Sequence, residues 1–294
     1  ITDTYRKFTG RKKSEDVQPE TYSLLNYKEA ETVLAEFEAI TARAEQIYDL
    51  LPDYKKDAFY QLVLYPTRGS KNVVKVNIYA GLNNLYAQQG RISANLYADL
   101  AEQVFRDEAQ DTNYYNNALA GGKWRGIMSN AHIGQTGWET PERNIMPAVR
   151  RIPVNPGSEM GIAVEGTRSA YTESGTVITR LPRFNVLTKE RHYIDIFNLK
   201  SDPFEVEISV SDPWIKVIQE QEIIEDESRV WIEIDWDSAP QSEKLKGEVV
   251  ISGTGKELTV VVNAYTPDLS IFSGLSPMTF IEDYGYISIE AEHY

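Results

Sequence analysis

The 294-residue chain contains no cysteine. Disulfides, thiol nucleophiles and cysteine-ligated zinc are therefore excluded, although the compartment stays open. Histidine is scarce too: His132, His192 and His293 are scattered and form no pair at helical ligand spacing, so no metal site is expected. No apolar run approaches membrane-spanning length, and no signal peptide is visible. Basic charge is also short, with 30 Lys+Arg against 44 Asp+Glu and a formal net charge of −14. Such a surface repels phosphate backbones, so neither nucleic acid nor membrane is an expected partner. Standard catalytic motifs (GxSxG, HExxH, Walker) are missing as well. Gly253–Glu257 (GTGKE) lacks the upstream glycine and the Ser/Thr after the lysine that a phosphate loop needs, and reads as a hairpin turn. No cofactor is expected.

What is present suffices for real cores: 41% hydrophobic residues, 11% of the chain aromatic. The length exceeds one core, so two domains are the natural expectation. From about residue 28 to 134 the apolar period is helical. Ala30, Val33, Phe37, Ile40, Ala44 and Ile47 form one stripe, closed by Pro52. A break or kink is expected at Pro66, then a helix over 72–88 ending at Gly90. Ser93 caps a further helix through Leu96, Leu100, Val104 and Phe105, and Asp111 or Thr112 caps a shorter one ending at Gly121-Gly122. Trp124, Ile127, Met128 and Ala131 fall at i, i+3, i+4 and i+7, predicting a short amphipathic helix over 123–132, with Gly134 closing it. Short connections favour an antiparallel bundle.

Beyond Pro153 the period becomes two. The candidates GIAVEG, TVITR, HYIDIFN, FEVEISVS, WIKVIQ, RVWIEIDW, GEVVISG and ELTVVVNA are separated by turn signals at roughly ten-residue intervals. The expected fold is therefore α+β and multidomain: an antiparallel helical bundle followed by an immunoglobulin- or fibronectin-like antiparallel β-sandwich. Trp214 and Trp231 are expected in the sandwich core, and Trp236, beside Asp235 and Asp237, as an exposed possible sugar platform. The acidic run Glu222–Glu227 (EIIEDE) reads as a solvated loop without the oxygen spacing of a calcium site. His192 reads as a structural histidine.

The stretch from Gly121 to Pro147 (GGKWRGIMSNAHIGQTGWETPERNIMP) is chemically the richest. Residues 134–147 show no period, and the residues alone leave two readings open, an active site or a packed seam with Arg143 and Glu139 as ion-pair partners. Three groups of residues here resemble a segment of glycoside hydrolase family 115: Lys123-Trp124-Arg125, His132-Ile133-Gly134-Gln135-Thr136, and Trp138 through Pro141, Arg143, Asn144 and Met146-Pro147-Ala148-Val149. RHYIDIFN at 191–198, DPWIKV at 212–217, VWIEIDWDSAP at 230–240 and YISIEAEHY at 286–294 follow in the family's order, so the resemblance covers most of the chain.

The family consists of xylan α-glucuronidases, built from an N-terminal domain, a (β/α)₈ catalytic barrel, a helical bundle, a β-sandwich and a last β domain. The resemblance implies that residues 1–27 are the tail of the barrel. It makes 28–150 the bundle with its structured connecting loop and 151–267 the sandwich. Residues 268–294 become a linker and the start of a further β domain. Opening on ITDTYRKF, a helix in progress, and stopping on an unclosed strand, the chain reads as a fragment of a longer polypeptide.

An inverting glycosidase needs two carboxyl groups about 6.5–9.5 Å apart, and the resemblance puts that pair on barrel loops outside this chain; no catalytic residue is assigned within it. Relatives with neutral glutamines in place of Glu139-Thr140 count against Glu139 as the acid. His132, Trp138, Arg143, Asn144 and Glu139 are candidates for facing the barrel or the substrate. The implied function is an accessory region of a secreted or periplasmic, homodimeric enzyme acting on xylan or glucurono-oligosaccharides. A β-sandwich that binds xylan independently is the alternative.

Overall fold

The computed structural model of the chain describes residues 1–135, 139–174 and 179–268, with residues 270, 273–276, 279–280, 287 and 289 beyond them and the side chain of Ser14 excepted. A helical part is followed by two packed, mainly antiparallel sheets, the expected α+β arrangement. Most of the expected further β segment over 268–294 lies outside the described residues.

The helical part comprises α1 (Thr2–Arg11), α2 (Glu29–Leu50), α3 (Asp53–Phe59), α4 (Tyr65–Gln89) and α5 (Ala94–Asn117). Helix α2 buries the predicted stripe Ala30, Val33, Phe37, Ile40 and Ala44, and Pro52 starts α3 from an extended Leu51. The kink expected at Pro66 is not there. Pro66 sits in the first turn of α4, where a missing amide donor is harmless. The irregularity falls just before it, in a π-helical turn over Tyr60–Leu64. Helix α4 therefore begins seven residues earlier than the expected residue 72. It ends as predicted at Gly90, whose φ of +75° lets the Gly90 and Arg91 amides donate to Ala87 and Tyr86 carbonyls at 3.2 and 3.1 Å.

Two further helix expectations are corrected. Asp111 and Thr112 cap nothing, because α5 runs unbroken through them to Asn117. Residues 123–132 form turns rather than a helix. Ala120, Gly121, Gly122 and Gly126 all have positive φ, and this left-handed backbone cannot propagate a right-handed helix. Trp124 and Met128 still pack on the bundle, beside buried Tyr60, Tyr115 and Leu119, but Ile127 is exposed.

The first sheet runs β1 (Met160–Val164), β4 (His192–Asn198), β8 (Glu227–Ile234), β6 (Ile215–Ile218), all antiparallel. The second runs β2 (Thr179–Arg180), β10 (Lys256–Thr266), β9 (Ser242–Gly253), β5 (Phe204–Val210), β7 (Ile223–Ile224). The short strands β2 and β3 (Phe184–Asn185) both lie parallel to β10. The eight predicted segments each contribute a strand; the two-residue β3 and β7 are too short to show a period.

Val230, Ile232 and Ile234 of β8 meet Val249, Ile251, Val260 and Val262 between the sheets, while Arg229, Trp231 and Glu233 face the other way by alternation. Trp214 is in this core as expected. Trp231 is not: it lies between the cations of Lys28 (4.1 Å) and Arg191 (4.4 Å). Trp236, expected exposed, is half-buried against the core. The acidic run is not a simple solvated loop either, since Ile224 is buried opposite Phe204 and the Glu227 carboxylate is engaged from the helical side. Every residue of β4 is buried, because helices cover the sheet face that an isolated sandwich would leave to solvent.

Two glycines of α4 test this packing. Gly69 has nothing within 4 Å of an added Cβ, whereas a Cβ on Gly81 would lie 2.6 Å from the Pro19 carbonyl oxygen. Gly69→Ala is expected to raise stability by about 0.5–1 kcal/mol through helix propensity. Gly81→Ala should lower it by about 1–3 kcal/mol through backbone displacement. Urea denaturation reads both; the same sign for the two variants contradicts the packing described.

Candidate functional site

Two polar constellations are built into the molecule, one under the segment from 121 to 152 and one between helices and sheet. The first begins with asparagine. Past α5 the chain runs irregularly along the bundle, first in turns and then without regular structure, and among the described residues no strand flanks it. Asn116 donates to the Met128 carbonyl (2.8 Å) and accepts from the Met128 amide (3.0 Å). Asn83 does the same for Arg150 (2.8 and 2.7 Å), and Asn95 for Ile152 (both 3.0 Å). A side-chain amide carries one donor and one acceptor group, so each asparagine stands in for a strand residue and satisfies backbone that would otherwise be orphaned.

Between these clamps, Asn144 Oδ1 accepts from the amides of His132 (2.8 Å) and Ile133 (3.2 Å), and Asn144 Nδ2 donates to Glu108 Oε2 (2.8 Å). The Glu108 side chain on α5 is only 1% exposed. Its other oxygen meets His132 Nε2 and the Thr112 hydroxyl (2.7 Å), and Thr112 in turn meets the Tyr65 hydroxyl (2.9 Å). His132 Nδ1 lies 3.1 Å from the Asn130 carbonyl. Both ring nitrogens thus face acceptors, an arrangement that a doubly protonated imidazolium satisfies. Burial alone would push the His132 pKa down, but the hydrogen bond to Glu108 and its negative charge outweigh it, and the pKa is raised.

Of the sequence-predicted residues, His132 and Asn144 are brought together here. Glu139 and Arg143 are exposed, and among the described residues no ion pair joins them, contrary to expectation. Trp138 lies outside the described residues. Glu108 was missed. Its signal is positional: Ala101, Val104, Glu108 and Tyr115 occupy one buried face of α5 at three-, four- and seven-residue steps, so an acid stands where the pattern calls for an apolar residue.

The second constellation joins the two halves. Arg91, 2% exposed, has its guanidinium over the rings of Tyr86 (4.1 Å) and Phe197 (4.3 Å). Its Nη1 donates to Asp195 (3.2 Å) and Glu227 (3.3 Å), and Glu227 also accepts from the Ser93 hydroxyl (2.8 Å). Asp195 is shared with Arg229, which donates to it from Nε (2.8 Å) and Nη2 (3.3 Å) and reaches Glu31 on α2 (2.8 Å). Desolvation pushes the Glu227 pKa up. Burial would lower Arg229, but Asp195 more than compensates and raises it. His192, expected as a satisfied structural histidine, is buried with Nδ1 3.0 Å from Glu165, but its Nε2 has no partner among the described residues. Among the described residues no group of three His, Asp or Glu side chains is placed to hold a metal. No helix there is long and apolar enough to cross a membrane.

No family model matches this sequence, and no curated protein matches it. Among solved structures, domains 4 and 5 of the S-layer protein SbsC are similar over 45% of this chain and 61% of that one, at 16% identity and a TM-score of 0.24. A family GH115 4-O-methyl-α-glucuronidase with specificity for decorated arabinogalactans is similar over 89% of this chain and 37% of that one, at 14% identity and a TM-score of 0.31. The chain spans less than two thirds of either.

Removing one partner from a buried ion network strands the others, so Arg91→Met is expected to lower stability by about 3–5 kcal/mol. A loss under about 1 kcal/mol in urea denaturation refutes the joint as a determinant of stability. For His132, the raised folded pKa means that its contribution is full below the unfolded value of about 6.5 and is lost as pH rises through the folded value. The urea midpoint of the wild type should therefore fall more than that of His132→Gln between about pH 6 and about pH 8.5. Parallel pH profiles for the two proteins sink the assignment.

Proposed function

We propose that the chain is the accessory C-terminal portion of a family 115 xylan α-glucuronidase, bracing a catalytic barrel that removes (4-O-methyl)glucuronic acid from glucuronoxylan. The segment from Trp124 to Val149 carries this reading. Its inner side is tied down by Asn116, Asn144 and the Glu108–His132 pair, with Ile133 buried and Met146 and Val149 packed on the bundle core. Its outer side exposes Ile127, Glu139, Arg143 and Ile145. A strap fixed this firmly, presenting apolar and charged side chains outward, suits a surface that positions a neighbouring domain rather than one that performs acid–base chemistry itself. The family-like landmarks support the same reading, since they coincide with structural pivots. RHYIDIFN contains the doubly covered β4, DPWIKV the core Trp214, and VWIEIDWDSAP most of β8. Secretion or periplasmic export and homodimerisation of the whole enzyme belong to this proposal. A free-standing xylan-binding sandwich is less well supported, because the Trp236 ring, its best platform, packs against the core.

The test compares the chain with the full-length enzyme on glucuronoxylan. The chain alone should release no 4-O-methylglucuronic acid, and the full-length Arg143→Glu/Ile145→Asp variant should lose about tenfold or more in kcat/KM, as expected when a positioning interface is displaced. Turnover by the chain alone refutes the proposal, as does an unaffected variant. Heat on titrating the chain with glucuronoxylan would favour the binding module instead.

A further inference from the structure

The joint between helices and sheet encloses more than ion pairs. A cavity of about 480 Å³ lies between the loop 23–28, helices α2, α4 and α5, and the outer face of the first sheet. Its size and its place at a junction of structural units are those of small-molecule sites. Leu24, Leu34, Leu82, Leu100 and Val164 supply apolar wall. Against this wall stand Tyr86, Tyr97 and Tyr193, whose hydroxyls make no hydrogen bond among the described residues and open onto the cavity, beside Gln89 Oε1 and Arg91 Nε, which are buried without a partner. Buried polar atoms without a partner beside unpartnered hydroxyls call for an occupant of the cavity, water or otherwise.

The electrostatics narrow the choice. Arg91 and Arg229 are already paired with Asp195, Glu227 and Glu31, and Lys28 at the edge rests on the Trp231 indole. A charged ligand would lose its hydration and find the carboxylates and both guanidinium groups of the lining already in ion pairs, whereas a neutral one has only hydrogen bonds to satisfy, two of them offered by the unpartnered Gln89 Oε1 and Arg91 Nε. Burial raises the pKa of all three tyrosines, to about 12 for Tyr97 and Tyr193, so they remain donors at neutral pH. The loop over the cavity is strained: Tyr27 and Lys28, neither of them glycine, have φ of +59° and +51°. Such consecutive left-handed residues persist where the surroundings hold them. Here the Gly166 amide donates to the Leu25 carbonyl (3.2 Å), and Lys28 lies over Trp231.

We propose that this cavity is a binding site for an uncharged small molecule with an aromatic or other apolar body and a hydroxyl head, seated on the leucines with its hydroxyl among Tyr86, Tyr97 and Tyr193. The inference is independent of the glycosidase reading, because binding is measured on the 294-residue chain alone.

The probe pair is 2-naphthol and its anionic counterpart 2-naphthoate, titrated calorimetrically and by ligand-observed NMR. Saturable one-to-one binding of 2-naphthol is expected, with 2-naphthoate about tenfold weaker or worse. Leu82→Trp, which fills the cavity, should abolish binding while the circular dichroism and Tm stay near wild type. Tyr97→Phe, which removes only a hydroxyl, should weaken it about fivefold and keeps the test decisive if the larger substitution does not fold. Absence of saturable 2-naphthol binding at millimolar concentration overturns the proposal and leaves a water-filled joint. Equal affinity for 2-naphthoate, or undiminished binding in folded Leu82→Trp or in Tyr97→Phe, overturns it too.

Discussion

Arg91 holds the two halves of the molecule in one orientation, and much of the rest follows from how it is placed. Gly90 supplies the left-handed turn that ends α4 and turns the chain toward the sheet, where the Ile92 amide donates to the Asn198 carbonyl at 3.1 Å. The guanidinium is then sandwiched between one ring from each half, Tyr86 and Phe197. Several charges are withdrawn from water together, and such a cluster is tolerable only when each member keeps its partners. A small rotation of the helices on the sheet would break several of these contacts at once.

The same economy governs the segment along the bundle. It has no regular structure to satisfy its backbone, and the helices lend it side-chain amides in place of a neighbouring strand. Asn83, Asn95 and Asn116 each bind both polar groups of one residue, and Asn84 adds a bond to the Ala148 carbonyl at 2.9 Å. Glu108 and His132 fasten the middle. A stretch rich in ligand-like residue types is thereby mostly occupied with holding itself in place, which bears on how its polar side chains are to be understood.

The stripe of α2, the Gly90 stop and the eight alternating segments were legible in the sequence because each repeats one rule over many residues. What was not legible is local exception. Glu108 and Glu227 are acids whose partners come from distant elements, and no window around either shows Arg91 or His132. Trp231 was assigned to the core by its type, yet its position between Val230 and Ile232 places it on the opposite face. Residues 123–132 have a helical spacing of apolar side chains, but glycine backbone decided against it. Of the candidate site, His132 and Asn144 were expected to face a barrel or substrate, yet both turn inward onto Glu108, an acid hidden inside a helical stripe.

The π turn before Pro66 carries one more consequence. In a straight helix, residues five apart diverge by about 140° around the axis. Through the wider turn, Tyr60 and Tyr65 instead both reach α5, at Asp111 (3.4 Å) and Thr112 (2.9 Å). Deleting a single residue between them would leave the tyrosines four apart in an α-helix, about 40° around the axis and still on one face. The π turn thus takes up one extra residue while the helix on both sides of it keeps the same face toward α5.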